Sequence, residues 1–237
     1  MLPSRDLYLA DASFHSSLAE LVIKNCDIRI KTLTCVLHNA VANHWRWHAM
    51  AMASEFAVFL NDFHRLLTGM ENSEKVFIAA INGVCVAGGL ELLLACDLVY
   101  AADTAKIGDG HVNFGQLPGA GGSQRLPRVV GPLRAKQLIF TGELVSAVEA
   151  ERIGLVNKVV PAGELDATVT ALVMQFADKS RVGLKTAKRL VNIAANTDFA
   201  EGLKQEMAIV HRYATTEADA TEGLVAFHEK RKPKFSR

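Results

Sequence analysis

The chain has 237 residues, half of them hydrophobic, enough to bury one sizeable core, or a core with a small appended subdomain. Lys and Arg number 26 against 25 Asp and Glu, so no global charge draws it to nucleic acid or to an anionic membrane. The longest apolar runs, within residues 76–86 and 90–96, are bounded by Asn82, Gly88, Gly89 and Glu91 well short of a membrane span.

In the N-terminal region, Arg5, Asp6, Asp11 and Glu20 break up any apolar stretch of signal-peptide type, so the chain reads as one without an export signal. Cys26, Cys35, Cys85 and Cys96 lack the close pairing of a zinc site and lie in apolar surroundings, the pattern of reduced thiols in a cytoplasmic or organelle-matrix protein. His44 and His48 have the i, i+4 spacing that places two side chains on one helix face, but no Glu-x-x-His context accompanies them. They are read, with His38 and His64, as incidental rather than metal-binding. Trp45 and Trp47 flank Arg46 without a wider basic surface, which favours packing over stacking on bases.

From Lys75 the pattern sharpens. Residues 76–81 form an apolar run with β-formers ahead of Asn82-Gly83 and predict a buried strand. Residues 90–96, almost without polar positions, predict a buried helix, and residues 98–102 a second strand. Strand, glycine turn, helix and strand make a βαβ unit and an α/β class. A glycine-bearing connection over 108–122 leads to helical segments at 123–130 and 133–140, separated by Gly131-Pro132. Ser146 opens a capping-box helix that ends at Gly154, and residues 155–160 read as a short strand stopped by Pro161. From Glu164 the pattern is helical almost to the end, with breaks near Ser180 and Asn196. The predicted organisation is a core over 1–165, its first 54 residues atypical, and a helical subdomain over 166–237.

The segment most informative about chemistry is residues 81–92. Gly88-Gly89 between a strand and a buried helix lets a ligand approach the backbone, where free N–H groups favour negative charge. That is the construction of an oxyanion hole. Glu91 follows in the first turn, near enough to share a pocket with whatever those groups bind. The same residues also suit a purely architectural reading, with the glycines permitting tight packing and Glu91 complementing the helix dipole. No Gly-Lys-Ser/Thr follows and the three-glycine dinucleotide spacing is absent, which removes NTPase, kinase and dehydrogenase readings.

Asn82-Gly83, Gly88-Gly89, Glu91-Leu92, then Ala95-Cys96-Asp97-Leu98, then Pro118-Gly119-Ala120-Gly121-Gly122-Ser123-Gln124-Arg125-Leu126 resemble the crotonase superfamily, the enoyl-CoA hydratases and isomerases. Residues 138–142, 150–160 and 222–233 agree, and the ordered blocks span about two thirds of the chain. The resemblance implies an α/β fold of crotonase-like (ClpP/crotonase) type, a ββα spiral core with a helical C-terminal subdomain. It implies a homotrimer or a dimer of trimers, with contacts made after Glu164. It also implies an acyl-CoA substrate, with coenzyme A present only as part of that substrate and no metal or redox cofactor.

By resemblance, Gly88 matches the glycine whose N–H stabilises the thioester oxyanion, and Glu91 the first of two catalytic glutamates. The second belongs where relatives commonly read Pro-Glu. Here the pair is Gly110-His111, and His111 is the candidate for a different proton transfer. Its alternative is a polar loop histidine without catalytic duty; Asp109, two residues earlier, is a further candidate acid. Lys230, Arg231, Lys232 and Lys234 either meet coenzyme A phosphates, as in some relatives, or form a solvated basic tail.

The relatives' Ala-Gly-x-Asp-Leu loop, which carries the other oxyanion donor, has no counterpart, and the resemblance resumes around residues 55–67. Codons for His44 to His48, read one base later, give a Thr-Gly-x-Gly-like string, so a truncated or frame-shifted N-terminal portion is expected. The expected activity is hydration of a 2-enoyl-CoA through a stabilised enolate. The alternatives are a crotonase-like hydrolase, lyase or decarboxylase using His111, and a catalytically silent acyl-CoA-binding homologue.

Overall fold

The computed structural model describes residues 51–236. The atypical stretch 1–54, with Cys26, Cys35, His38, His44 and His48, lies outside the described residues except for the opening of one helix. That helix, α1 (Ala51–Glu71), covers the stretch where the resemblance resumes. Phe63, Leu67 and Met70 share one face of it at helical spacing and pack on Phe77, Leu92, Ala95 and Ala120.

Two small sheets follow. Strands β1 (Ile78–Ile81), β3 (Leu98–Ala102) and β6 (Lys158–Val160) form a parallel sheet in the order β1-β3-β6. Strands β2 (Val84–Val86), β4 (Lys106–Gly108) and β5 (Val145–Ser146) form the second, with β2 parallel and β5 antiparallel to β4. From β1 to β4 successive strands alternate between the sheets, and the chain stays in the second sheet for β5 before returning to the first as β6. The short helix α2 (Gly88–Leu93) returns the chain from β2 to β3, while α3 (Gly122–Val130) and α4 (Pro132–Thr141) lie between β4 and β5. From β5, α5 (Ala147–Arg152) leads back to β6. This is the ββα spiral expected from the resemblance, and the predicted parallel pairing of strands 76–81 and 98–102 holds as β1 against β3.

Side-chain alternation explains why β1 reads as an unbroken apolar run. Ala79 and Ile81 face a core shared with Cys85, Leu90, Leu93, Ile107 and Leu126, while Ile78 and Ala80 face the other side. That second face is covered by α6 (Leu165–Ala177), through Val169, Leu172, Val173 and Phe176. The helix that opens the expected C-terminal subdomain is therefore a layer of the core.

The remaining helices are α7 (Arg181–Asn196), α8 (Phe199–Thr216) and α9 (Ala218–His228). The predicted breaks near Ser180 and Asn196 are present, and a third falls at Glu217. Ser180 caps α7 by accepting the Gly183 N–H at 3.0 Å, and its hydroxyl donates to the buried Asp219 at 2.5 Å. The other Asp219 oxygen accepts from the backbone and hydroxyl of Ser236, which holds the C-terminal tail. Lys188 fastens α7 to the core by donating to the carbonyls of Met70 and Lys75 and to Asp97, each at 2.8 Å. No described helix is long and apolar enough to cross a membrane.

Candidate active site

Three elements meet around one backbone residue, Ala87. It precedes α2 with φ 55° and ψ −123°, a left-handed conformation costly for a residue with a Cβ. Two hydrogen bonds hold it there. Its N–H donates to the Asp109 carbonyl at 2.8 Å, and its carbonyl accepts the Glu91 N–H at 3.1 Å. Gly88 thus begins α2 immediately after a strained, anchored turn, a position where backbone strain often accompanies function.

Glu91 is 3 % exposed on α2, as a carboxylate poised beneath a glycine turn should be. Its Oε1 accepts the backbone N–H of Ala120 at 2.6 Å and of Gly122 at 2.9 Å. Among the described residues no donor reaches Oε2. These bonds satisfy a buried charge and fix the side-chain rotamer.

The loop that supplies those donors is itself tied down. Arg125 on α3 donates from Nη1 to the Ala120 carbonyl at 2.8 Å and grips Glu71 at the end of α1 at 2.5 and 2.9 Å. His64 Nε2 lies 3.0 Å from the Gly119 carbonyl. Sequence reasoning used residues 118–126 only as a family signature and did not assign them to holding Glu91. The signal available was the density of glycine in the loop, since Gly122 lies so near Glu91 that a Cβ there would press on it.

His111 opens a 3₁₀ turn (His111–Phe114) within the glycine-bearing connection over 108–122. Its ring is 15 % exposed, and Nδ1 lies 3.1 Å from Oδ1 of the fully buried Asp109. The same Oδ1 accepts the His111 backbone N–H at 3.2 Å. Burial alone would lower the imidazole pKa, but the hydrogen bond and charge of Asp109, joined by the charge of Glu91, outweigh it and raise the pKa above its ordinary 6.5. The charge of Glu91 thus reaches the His111 ring, with Asp109 as the ring's nearer partner. At Gly110 φ is 69° and Val86 lies against the space a Cβ would fill, so the backbone of this turn does not admit proline, whose ring fixes φ near −65°.

Two candidate features find other partners. In the basic tail, Arg231 is engaged by Glu222 at 2.6 and 3.0 Å and by Glu229 at 2.5 Å, so it is committed within its own chain. Arg231 and the Lys234 N–H together hold the Glu222 carboxyl down to about 2. Cys96, half-buried between Leu92 and Asp97, has a thiol pushed up to about 12 by burial and by the Asp97 charge, which suits packing rather than reaction. Among the described residues no cluster of histidine, cysteine and carboxylate side chains is arranged to hold a metal ion.

Comparison with known proteins matches residues 32–237 to the family model described as enoyl-CoA hydratase/isomerase. The protein named "probable enoyl-CoA hydratase echA8" of Mycobacterium bovis is 45 % identical over 159 residues, 67 % of this chain and 62 % of that protein. The match thus spans less than two thirds of that relative's length. The crotonyl-CoA hydratase of Syntrophomonas wolfei is 41 % identical over 183 residues, 77 % of this chain and 69 % of that protein. The crystal structure of an enoyl-CoA hydratase from Bacillus anthracis superposes with a TM-score of 0.77 at 33 % identity, covering 86 % of this chain and 77 % of that one. On sequence and fold alike, the chain belongs to the enoyl-CoA hydratase/isomerase family of the crotonase superfamily.

Proposed function

We propose that the protein adds water across the double bond of a 2-enoyl-CoA thioester, with Glu91 and His111 as its acid–base pair. The observation that carries this reading is the buried Glu91 carboxylate in the first turn after Gly88, held on one oxygen by two backbone N–H groups.

In this mechanism Glu91 Oε2 takes a proton from water as the water oxygen bonds to the β-carbon. The π pair of the alkene moves toward the thioester carbonyl, and the Gly88 N–H stabilises the resulting enolate oxygen. The imidazolium of His111 then delivers a proton to the α-carbon, and the proton taken by Glu91 returns to His111 through solvent. The sum is one water added. No metal or redox cofactor is required, and coenzyme A enters only as part of the substrate.

The test is hydration of crotonyl-CoA by purified protein, followed by loss of the conjugated thioester absorbance, beside Glu91→Gln. Removing the base should lower kcat by about 10² to 10⁴-fold. Release of free coenzyme A thiol without hydration would replace this reading with thioester hydrolysis using His111. Binding of acetyl-CoA without either reaction would leave a silent binding homologue.

Assembly as a homotrimer or a dimer of trimers is part of the proposal. Phe199, Leu203 and Met207 stand exposed on α8 at helical spacing, an apolar stripe that a second copy would cover. Light scattering on the eluted protein should return three or six copies. A cytoplasmic setting is supported by Cys85 and Cys96, neither of which is joined in a disulfide.

A further inference from the structure

The geometry points to Asp109 as the positioning residue of His111, fixing its Nδ1–H and leaving Nε2 as the nitrogen that exchanges a proton. The inference rests on the proposed role of His111 as proton donor. Oδ1 already accepts the His111 backbone N–H at 3.2 Å and is thus an acceptor oxygen, so its contact with Nδ1 at 3.1 Å places the ring proton on Nδ1. Nε2 is then the ring nitrogen left to exchange a proton.

Three further observations give Asp109 more than a turn-forming role. It is fully buried, and among the described residues its Oδ2 meets no donor, so the charge-bearing partner of this carboxylate is the His111 ring. Its carbonyl holds the Ala87 N–H, which ties the histidine to the same strained turn that sets Gly88 and Glu91. The charged groups acting on His111 are Asp109 on its own turn and Glu91 on α2. Helix α4, which packs against the turn, meets it through Asn113, whose amide donates to the Gly142 carbonyl at 2.8 Å. A bare turn cap would use only the bond from Oδ1 to the His111 backbone N–H, and asparagine would serve it equally well.

Asp109→Asn therefore separates the two roles, since it keeps the cap and the volume and removes the charge. The primary measurement is the ¹⁵N and ¹H NMR titration of the His111 ring, assigned by the signal lost in His111→Gln. We expect the neutral ring to carry its proton on Nδ1, and the titration to move to lower pH in Asp109→Asn. The second measurement is the pH profile of crotonyl-CoA hydration. In Asp109→Asn, kcat should fall at least about tenfold with KM little changed, and the alkaline limb should move to lower pH with the titration. In a His111→Glu background, where no imidazole needs orienting, Asp109→Asn should cause no further loss.

A His111 titration unmoved by Asp109→Asn overturns the inference whatever the enzyme catalyses. A moved titration with an unmoved rate profile overturns it too, since Asp109 would not act through His111 in turnover. A moved titration in a protein that hydrates nothing supports the Asp109–His111 pairing while refuting the hydratase reading.

Discussion

Glu91 Oε1 accepts the Gly122 N–H at 2.9 Å, and a methyl group built on Gly122 would stand 3.2 Å from that same oxygen and 2.9 Å from Pro118 Cβ. The close fit of the loop to the carboxylate leaves little room for a side chain at this position. Gly122→Ala should push the loop and Glu91 apart by a few tenths of an ångström, and its cost in rate should stay below the roughly 10²-fold of a full ångström's misplacement. A fall in kcat beyond that of Gly83→Ala, where a methyl would meet nothing within 4 Å, is the expected kinetic result. Equal effects at the two glycines would show that the contact does not position Glu91.

The His111 ring gives the fold a pH-dependent contribution whose sign follows from its raised pKa. The protonated ring stabilises the folded state fully below its ordinary 6.5, and this contribution fades as pH rises through the higher folded value. Urea unfolding of the parent protein and of His111→Gln should therefore differ most below pH 6.5 and converge as the pH is raised.

Lys188 is almost fully buried and serves three acceptors, two of them backbone carbonyls. Its removal strands the Asp97 carboxylate, which burial already holds above the usual carboxylate range despite Lys188 and the Phe77 N–H. Lys188→Ala should cost about 3–5 kcal/mol in chemical denaturation, the scale for breaking one side of a buried pair. The double variant Lys188→Met with Asp97→Leu should recover much of it. A cost below about 1 kcal/mol for Lys188→Ala would place the pair among surface bridges.

At the other end of the helical region, Asp219 joins the cap of α7 to the C-terminal tail. Burial alone would raise its pKa, but donors from Ser180 and Ser236 outweigh it and lower the value. Its contribution is therefore complete above the ordinary 3.8 and is lost as pH falls through the lower folded value. Asp219→Ala should release the tail, read as faster proteolysis after residue 228, and Ser180→Ala should cost about 1 kcal/mol as a lost helix cap.

What the sequence made legible was whatever recurs at short range. The apolar run of β1, the Ser146 cap bonded to the Glu149 N–H at 3.2 Å, and the punctuation at Gly131-Pro132 each carry their own local signal. The three-residue strands β2 and β4 did not, because each buries only two residues and lies against glycine turns that dominate its pattern. Of the expected site, Gly88 and Glu91 were legible from the glycine turn, and His111 from its departure from the resemblance. The clamp on Glu91 was hidden because Ala120 and Gly122 act through backbone N–H groups, which no residue type announces. The Lys188–Asp97 pair joins positions 91 residues apart, a separation over which periodicity carries no information.

Gly110 makes the turn intolerant of change at its middle. With its positive φ and Val86 against the space beside it, any side chain there is strained, and proline, held near −65°, would break the turn. The residues on either side are Asp109, whose carbonyl holds the Ala87 N–H, and His111, so a substitution at a position with no functional group of its own would disturb the anchored turn before α2 and the imidazole together.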